Sequence, residues 1–114
     1  AQAIPGTLPD EAGRFDLAFA SWGTISWLPD IGAWARGLAH LLRSGGAFAF
    51  ADCHPVAQVF DGWDDGRPGW AFPYFARQPI PFEDAVDYAD GAPIAASATI
   101  THLLPLADIL GALA

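Results

Sequence analysis

The hydrophobic pattern of residues 15–55 changes period twice and predicts a strand, a helix and a second strand. Residues 15–20 form an apolar run that only Asp16 interrupts, and residues 47–53 form a second run that is almost entirely apolar. Continuous runs of this length are typical of strands that are covered on both faces. The connection between them is long enough for a right-handed crossover, so we expect the two strands to be parallel.

The connection between the two runs carries the signals of one amphipathic helix. Residues 22–28 indicate a turn or a short helical stretch, and Asp30 is a favourable N-cap residue. Arg43 falls in the expected last turn, where the helix dipole favours a cation, and Gly45 and Gly46 supply a left-handed stop. Apolar side chains at helical spacing form a single stripe: Ile31, Trp34, Ala35, Leu38, Leu41 and Leu42.

The pattern loses this regularity after residue 60. Residues 60–81 are rich in Gly, Pro, Asp and aromatic residues, and a loop of this length in a compact domain is usually functional. Its aromatic rings argue against disorder, because they carry too much apolar surface to leave in water. Residues 84–90 and 96–102 are expected to pair as a hairpin around a turn at 91–93. Pro105 then opens a last helix.

Length and charge limit the classes of function. The chain has 114 residues, enough for one domain at most, and no apolar run approaches the roughly 18 residues of a membrane span. The net charge is −8, which repels phosphate groups. We therefore expect a small-molecule ligand, uncharged or cationic, and neither nucleic acid nor a membrane as partner. Cys53 is the only cysteine, so no internal disulfide can form and a cytoplasmic setting is expected.

Taken in order, the pieces resemble the second half of a class I S-adenosylmethionine-dependent methyltransferase domain of the small-molecule type. FDLAFASWG matches the fourth strand of that fold, WLPDIGAWARGLAHLLRSGG the following helix with its stop, and AFAFADCHP the fifth strand. PYFARQPIPFEDAVDYAD and THLLPLADILGALA look like the substrate-covering insert and the next helix. The resemblance implies an α/β, Rossmann-like fold fragment. Within residues 1–114 it implies a core at 15–55, a substrate cover at 60–102 and a truncated helix at 105–114.

The chain departs from that family at the cofactor signature. The family carries a Gly-rich turn after its first strand, followed by an acidic residue, whereas GTLPDEAGR in this chain follows no predicted strand. The chain also contains no Met and ends in an apolar helical pattern without a stop signal. We therefore expect it to be part of a longer enzyme, with little or no activity or cofactor affinity alone.

The resemblance implies a cofactor site and a substrate site at the carboxyl ends of the two strands. It puts Ser21, Trp22 and Gly23 beside the methionine part of S-adenosylmethionine, where Trp22 or Trp27 can form a cation–π contact with the sulfonium. His54 then faces the substrate as the candidate general base, since imidazole titrates near neutral pH. The substrate pocket would be lined by a wider set: His54, Trp70, Tyr74, Phe75, Tyr88 and His102.

Each of these assignments has a plainer alternative. The segment 21–23 could be a strand-to-helix turn around a core tryptophan, and His54 could hydrogen-bond locally before Pro55. Methyl transfer often needs only the positioning of the nucleophile, so a general base is not required. The aromatic segment could be a static cover of the sheet edge rather than a lid.

Two rival classes of function stay open. The first is another Rossmann-like enzyme, such as a hydrolase or a nucleotide-dependent oxidoreductase, although the G-x-S-x-G elbow of hydrolases is absent. Cys53 and His54 do not suggest a nucleophile–base pair, because adjacent strand residues point to opposite faces. The His and Asp spacings match no metal site. The second class is a non-catalytic interaction module that binds a protein through the aromatic segment. Self-association through unpaired sheet edges is expected for a two-stranded sheet.

Overall fold

Two parallel strands, β1 (Phe15–Ala20) and β2 (Leu42–Phe50), organise the computed structural model of this chain. The structure describes residues 4–60, 62–83, 86–87, 89–94 and 98–114. The other helices and strands are α1 (Ile4–Thr7), α2 (Ile31–Leu41), α3 (Pro55–Val59), β3 (Gly62–Asp64), β4 (Arg67–Gly69), β5 (Ile80–Phe82), β6 (Thr99–Thr101) and α4 (Leu106–Leu113), with 3-10 turns at Pro9–Glu11 and Ile25–Trp27. The fold is mixed α/β, and the predicted parallel strand–helix–strand unit is confirmed.

Helix α2 begins where the sequence predicts and ends earlier. The Asp30 carboxylate accepts a hydrogen bond from the Ala33 N–H at 2.8 Å, so the predicted N-cap is confirmed. The predicted stop at the glycines is wrong, because Leu42 already has extended angles (φ −74°, ψ 136°) and pairs with Phe15. A contact far along the chain, between Leu42 and β1, therefore ends the helix.

Gly45 and Gly46 lie instead in an irregular stretch of β2. The register moves from Phe15 opposite Leu42 to Leu17 opposite Ala47, so the extra residues of β2 bulge out of the ladder. Gly45 has φ +77°, and a Cβ on Gly46 would lie 2.9 Å from the carbonyl oxygen of Arg43. Only glycine fits both positions without strain. Arg43 is thus a strand residue that pairs with Asp16, and its predicted place in the last helical turn is wrong.

The core lies between the sheet, α2 and α4. Trp34 of α2 meets Phe48 and Phe50 of β2 edge-on, with ring centroids 5.5 Å and 6.0 Å apart. Buried Ile25 and Ile109 complete the cluster from the 3-10 turn and from α4. Smaller or half-buried apolar side chains pack around it: Ala20, Leu28, Ile31, Leu38 and Leu104.

The opposite face of the sheet is open. Leu17 and Phe19 are 59% and 68% exposed, and their register partners Ala47 and Ala49 are also exposed. The prediction that both faces of these strands are covered is therefore wrong for this structure, because α2 and α4 pack on one face alone. The radius of gyration, 16.7 Å, exceeds the roughly 13 Å expected of a compact domain of this length.

The region after residue 60 contains two hairpins. Strands β3 and β4 pair around Asp65 and Gly66, which have φ +47° and +74° as a type I′ turn requires. This hairpin lies inside the predicted aromatic loop. Strand β6 pairs with β5, and a separate antiparallel bridge joins Val86 to Pro93.

The second hairpin has boundaries that differ from those predicted from the sequence. Its paired strands among the described residues are β5 at residues 80–82, which begins before the predicted 84–90, and β6 at residues 99–101, which lies within the predicted 96–102. Residues 84, 85 and 88 of the first predicted strand and residues 96 and 97 of the second lie outside the described residues. Beside the predicted turn, the Asp87 N–H donates to the Ala92 carbonyl at 2.9 Å and the Gly91 N–H donates to the Asp87 carbonyl at 2.8 Å. Helix α4 follows Pro105, as predicted. None of the helices in the described ranges is both long and apolar enough to cross a membrane.

Candidate functional site

The carboxyl ends of β1 and β2 are joined by one carboxylate. Oδ1 of Asp52 accepts hydrogen bonds from the N–H of Gly23 at 2.9 Å and from the N–H of Cys53 at 2.8 Å. The ladder itself brings Asp52 there, because the Ala51 N–H donates to the Ala20 carbonyl just before it. Asp52 therefore fixes the backbone of the turn after β1, 29 residues away along the chain.

The second carboxylate oxygen of Asp52 is unusual. Oδ2 is buried and has no hydrogen-bond partner among the described residues. A buried carboxylate oxygen normally has a partner, because leaving one unpaired is costly. The carboxyl ends of β1 and β2 thus contain a hydrogen-bond acceptor, Oδ2 of Asp52, that has no described partner and lies next to the turn at Gly23.

The turn after β1 is held by its own hydroxyl groups. Thr24 Oγ1 donates to the Ser21 carbonyl, and Ser26 Oγ donates to the Gly23 carbonyl at 3.0 Å. Gly23 has φ +78°, and a Cβ placed on it would have no neighbour within 4 Å. The position therefore requires glycine for its backbone angle, and the space above it is open to a ligand.

Trp22 and Trp27 lie on the surface beside this turn in the sequence. Trp22 is 71% exposed and Trp27 is 57% exposed. The alternative of a core tryptophan at position 22 is therefore wrong. Both indole rings are accessible to a ligand, as an apolar wall requires, although their contact with a cofactor stays a prediction.

His54 has a structural role at the start of α3. Its Nδ1 accepts a hydrogen bond from the Val56 N–H at 3.2 Å, and Pro55 occupies the first helical position. A neutral imidazole that accepts at Nδ1 carries its proton on Nε2. In this arrangement the exposed ring offers a donor to a ligand. The predicted general base requires the bond to Val56 to open first.

A cavity of about 190 Å³ lies under the strand ends, between them and α4. Asp52, Cys53 and His54 border it on the strand side, and the rest of the wall is mostly apolar: Ile25, Phe50, Pro55, Leu106, Ile109, Leu110 and Leu113. Pockets for drug-sized ligands usually measure about 300–1,000 Å³, so this cavity suits a small apolar group rather than a whole nucleoside.

A larger groove, about 620 Å³, lies between α2, β2 and the end of α4. It contains none of the predicted site residues, and Arg36 is its one charged side chain. The groove lacks converging polar groups, so it does not change the location of the candidate site.

His102 belongs to the strand-end region. Its N–H donates to the Ser26 carbonyl at 2.8 Å, and it borders a very small cavity together with Ser26, Asp52 and Gln58. The structure therefore brings His102 near the carboxylate that joins the strands. Tyr88, its predicted neighbour, lies outside the described residues.

The aromatic segment is anchored at one point and exposed at others. Tyr74 Oη accepts a hydrogen bond from the Leu106 N–H at 2.9 Å, and Arg77 forms a two-point ion pair with Asp108 at 2.5 Å and 3.3 Å. These contacts join residues 74–77 to the first turn of α4, and whether the segment acts as a lid or as a static cover stays a prediction.

Trp70 and Phe75 are each 76% exposed, and neither borders the 190 Å³ cavity. Trp70 packs on Phe60 with ring centroids 5.3 Å apart. The substrate-binding role of these two rings stays a prediction that would need a movement of the segment.

The structure thus brings together Ser21–Gly23, Asp52, His54 and His102, and it adds Asp52 to the residues predicted from the sequence. The signal that pointed to Asp52 was its place directly after a parallel strand, where ligand sites concentrate. Comparison of the chain with family models, with curated proteins and with solved structures gave no match.

Proposed function

We propose that this chain forms part of a class I S-adenosylmethionine-dependent methyltransferase domain, and that the carboxyl ends of β1 and β2 form one wall of its cofactor crevice. The observation that carries the proposal is the Asp52 bridge to Gly23. It holds a glycine turn open at the edge of a parallel sheet, which is where α/β sheets bind their ligands.

The chemistry of this wall suits the methionine end of the cofactor. The exposed ring of Trp22 can face a sulfonium cation, which aromatic rings attract through their negative faces. The negative charge of Asp52 at the strand ends and the net charge of −8 favour the cationic ammonium and sulfonium groups over a phosphate. The absence of a side chain at Gly23 lets a ligand approach the backbone closely.

S-Adenosylmethionine, when bound at this wall, would supply an electrophilic methyl group for a substrate oxygen, nitrogen or carbon. The chain's own residues would act by positioning. Asp52 fixes the turn at Gly23, and the cavity beneath accepts a small apolar part of the substrate. His54 donates from Nε2 to a substrate oxygen or nitrogen, and accepts a proton only after the bond from Val56 opens.

The proposal is tested by titrating ¹⁵N-labelled protein with S-adenosylhomocysteine. We expect weak binding, with a Kd in the millimolar range, because the chain carries no Gly-rich clamp for the nucleoside. The amide signals of Trp22, Gly23 and Cys53 should move together. Unchanged signals at millimolar ligand would contradict the proposal that the strand ends form a wall of the cofactor crevice. Tight stoichiometric binding would contradict the expectation that the chain binds weakly because it carries no Gly-rich turn.

A matched pair of variants sharpens this test. Trp22→Ala should weaken the response, because it removes the proposed aromatic wall, whereas Trp70→Ala removes an equally exposed ring outside the strand ends. Equal effects of the two substitutions would show that the ligand responds to exposed tryptophan in general.

A non-catalytic interaction module is the second candidate function. Trp70 and Phe75 are each 76% exposed, do not border the cavity, and offer two apolar rings to a partner protein. This candidate predicts that S-adenosylhomocysteine leaves the amide signals of Trp22, Gly23 and Cys53 unchanged. It also predicts that Trp70→Ala abolishes the binding of a partner protein.

A further inference from the structure

We infer that the cavity of about 190 Å³ between the strand ends and α4 binds a small uncharged ligand of the phenol class, with a single aromatic ring and a hydroxyl group. The volume, the walls and the polar rim of the cavity each favour such a ligand. In the proposed methyltransferase this ligand would be the substrate, and only that role rests on the proposed function.

The volume of the cavity fits one ring. A cavity of about 150 Å³ that was engineered in another protein, with walls of Leu, Ile and Phe, binds benzene. The cavity in this chain measures about 190 Å³, so it has space for a ring with one or two small substituents. It is too small for the nucleoside part of the cofactor, so the two ligands would not compete for it.

The walls of the cavity are of the same chemical kind. Ile25 and Ile109 are 6% and 3% exposed and form its buried part, and Phe50 adds an aromatic side chain. Leu110 and Leu113 are 58% and 36% exposed, so the cavity is reached from solvent along α4. An apolar ring gains free energy when it leaves water for such walls.

The polar groups that border the cavity come from the end of β2. They are Asp52, Cys53 and His54, and the last two are exposed. Because Nδ1 of His54 accepts from the Val56 N–H, the other nitrogen of the neutral ring, Nε2, is a donor. A hydroxyl oxygen on the ligand can accept from it. The carboxylate of Asp52 and the net charge of −8 disfavour an anionic ligand.

Titration of the unsubstituted protein with phenol, without S-adenosylhomocysteine, tests the proposal. In protein ¹³C-labelled at isoleucine methyl groups we expect a Kd of about 1 mM, as is typical of a ligand this small. The signals of Ile25 and Ile109 should shift, because both border the cavity, whereas those of Ile80 and Ile100, on β5 and β6, should not. Unmoved Ile25 and Ile109 signals at about 10 mM phenol, or equal shifts at all four residues, would overturn the proposal.

A flexible ligand of equal size tests the preference for a ring. Hexan-1-ol has as many non-hydrogen atoms as phenol and also carries one hydroxyl group. It should bind about threefold more weakly or worse, because ordering its chain costs free energy that a rigid ring does not lose. Tighter binding of hexan-1-ol would contradict the assignment to a single ring.

Two substitutions test the wall and the rim. Leu110→Trp places a larger ring at the entrance and should raise the Kd of phenol about fivefold or more, whereas Ile100→Trp changes a similarly exposed residue, 54% against 58%, outside the cavity. Equal Kd values for the two variants would overturn the location. His54→Ala should weaken the binding of phenol and leave that of benzene unchanged, and an equal effect on both ligands would overturn the contact with His54.

The results also separate this ligand site from the cofactor crevice. Phenol that shifts Ile25 and Ile109, together with S-adenosylhomocysteine that leaves Trp22 and Gly23 unchanged, would refute the cofactor crevice and keep the ligand site. The reverse result would refute the phenol-class ligand and keep the crevice.

Discussion

Replacing Asp52 tests the contact on which the candidate site depends. In Asp52→Ala the N–H groups of Gly23 and Cys53 both lose their acceptor. In Asp52→Asn the side-chain carbonyl can still accept from both, while the negative charge is removed. The two variants therefore separate the hydrogen bonds from the charge.

The expected magnitudes follow from these contacts. Hydrogen bonds to a charged group contribute about 1.5–3 kcal/mol each, and these two are partly solvated, so Asp52→Ala should lower the free energy of unfolding by about 2–3 kcal/mol. Asp52→Asn should cost about 1 kcal/mol, because neutral hydrogen bonds are weaker. Removal of the unpartnered charge on Oδ2 offsets part of that cost.

Urea unfolding followed by circular dichroism measures both values, at a protein concentration below that of any dimer. The ¹⁵N–¹H signal of Gly23 provides a local readout: it should move far in Asp52→Ala and little in Asp52→Asn. An Asp52→Ala protein that unfolds within about 0.5 kcal/mol of the parent, with an unmoved Gly23 signal, would refute the bridge between the strand ends.

Three further changes test other parts of the fold by the same unfolding assay. Gly23→Ala should lower the free energy of unfolding by about 1 kcal/mol, because φ is +78° at that position. Gly111→Ala, which lies inside α4 with open space around it, should instead raise the free energy of unfolding by about 0.5–1 kcal/mol, and equal effects of the two substitutions would contradict this account. Trp34→Ala removes the buried ring between α2 and β2 and should lower the free energy of unfolding by about 3–5 kcal/mol, so that little cooperative unfolding remains. A sharp unfolding transition at the same urea concentration as the parent would refute the described core. Tyr74→Phe should speed hydrogen exchange at the Leu106 amide by up to about tenfold, because the N–H loses its acceptor; unchanged exchange would mean that the aromatic segment is not anchored there.

The parallel unit was predictable because its signals are local. The apolar run of β1 and the Asp30 cap each depend on a few neighbouring residues, and the structure confirms both. The end of α2 was not predictable in the same way. It depends on the pairing of Leu42 with Phe15, which is far along the chain, whereas Gly45 and Gly46 look locally like a helix stop.

The region after residue 60 shows a different reason why strands could not be predicted from the sequence. Asp65 and Gly66 carry a recognisable turn signal, yet the surrounding prolines and aromatic residues led to the prediction of a loop. For β5, Pro81 lowers the strand propensity, and only the pairing with β6 makes residues 80–82 a strand.

The candidate site was predictable as a region and not as a set of contacts. The ends of parallel strands indicate where ligands bind, and that rule singled out residues 21–23 and His54. No local pattern shows that Asp52 reaches Gly23, or that Nδ1 of His54 is already used by Val56. Both facts depend on how the chain folds back on itself.

The most direct test of the central claim locates S-adenosylhomocysteine on the chain through ligand–protein NOEs. With labelled protein and excess unlabelled ligand, we predict contacts from the homocysteine methylene protons to the Trp22 ring and the Gly23 α-protons. Contacts to the rings of Trp70 or Phe75, with none at the strand ends, would contradict the claim that β1 and β2 form a wall of the cofactor crevice.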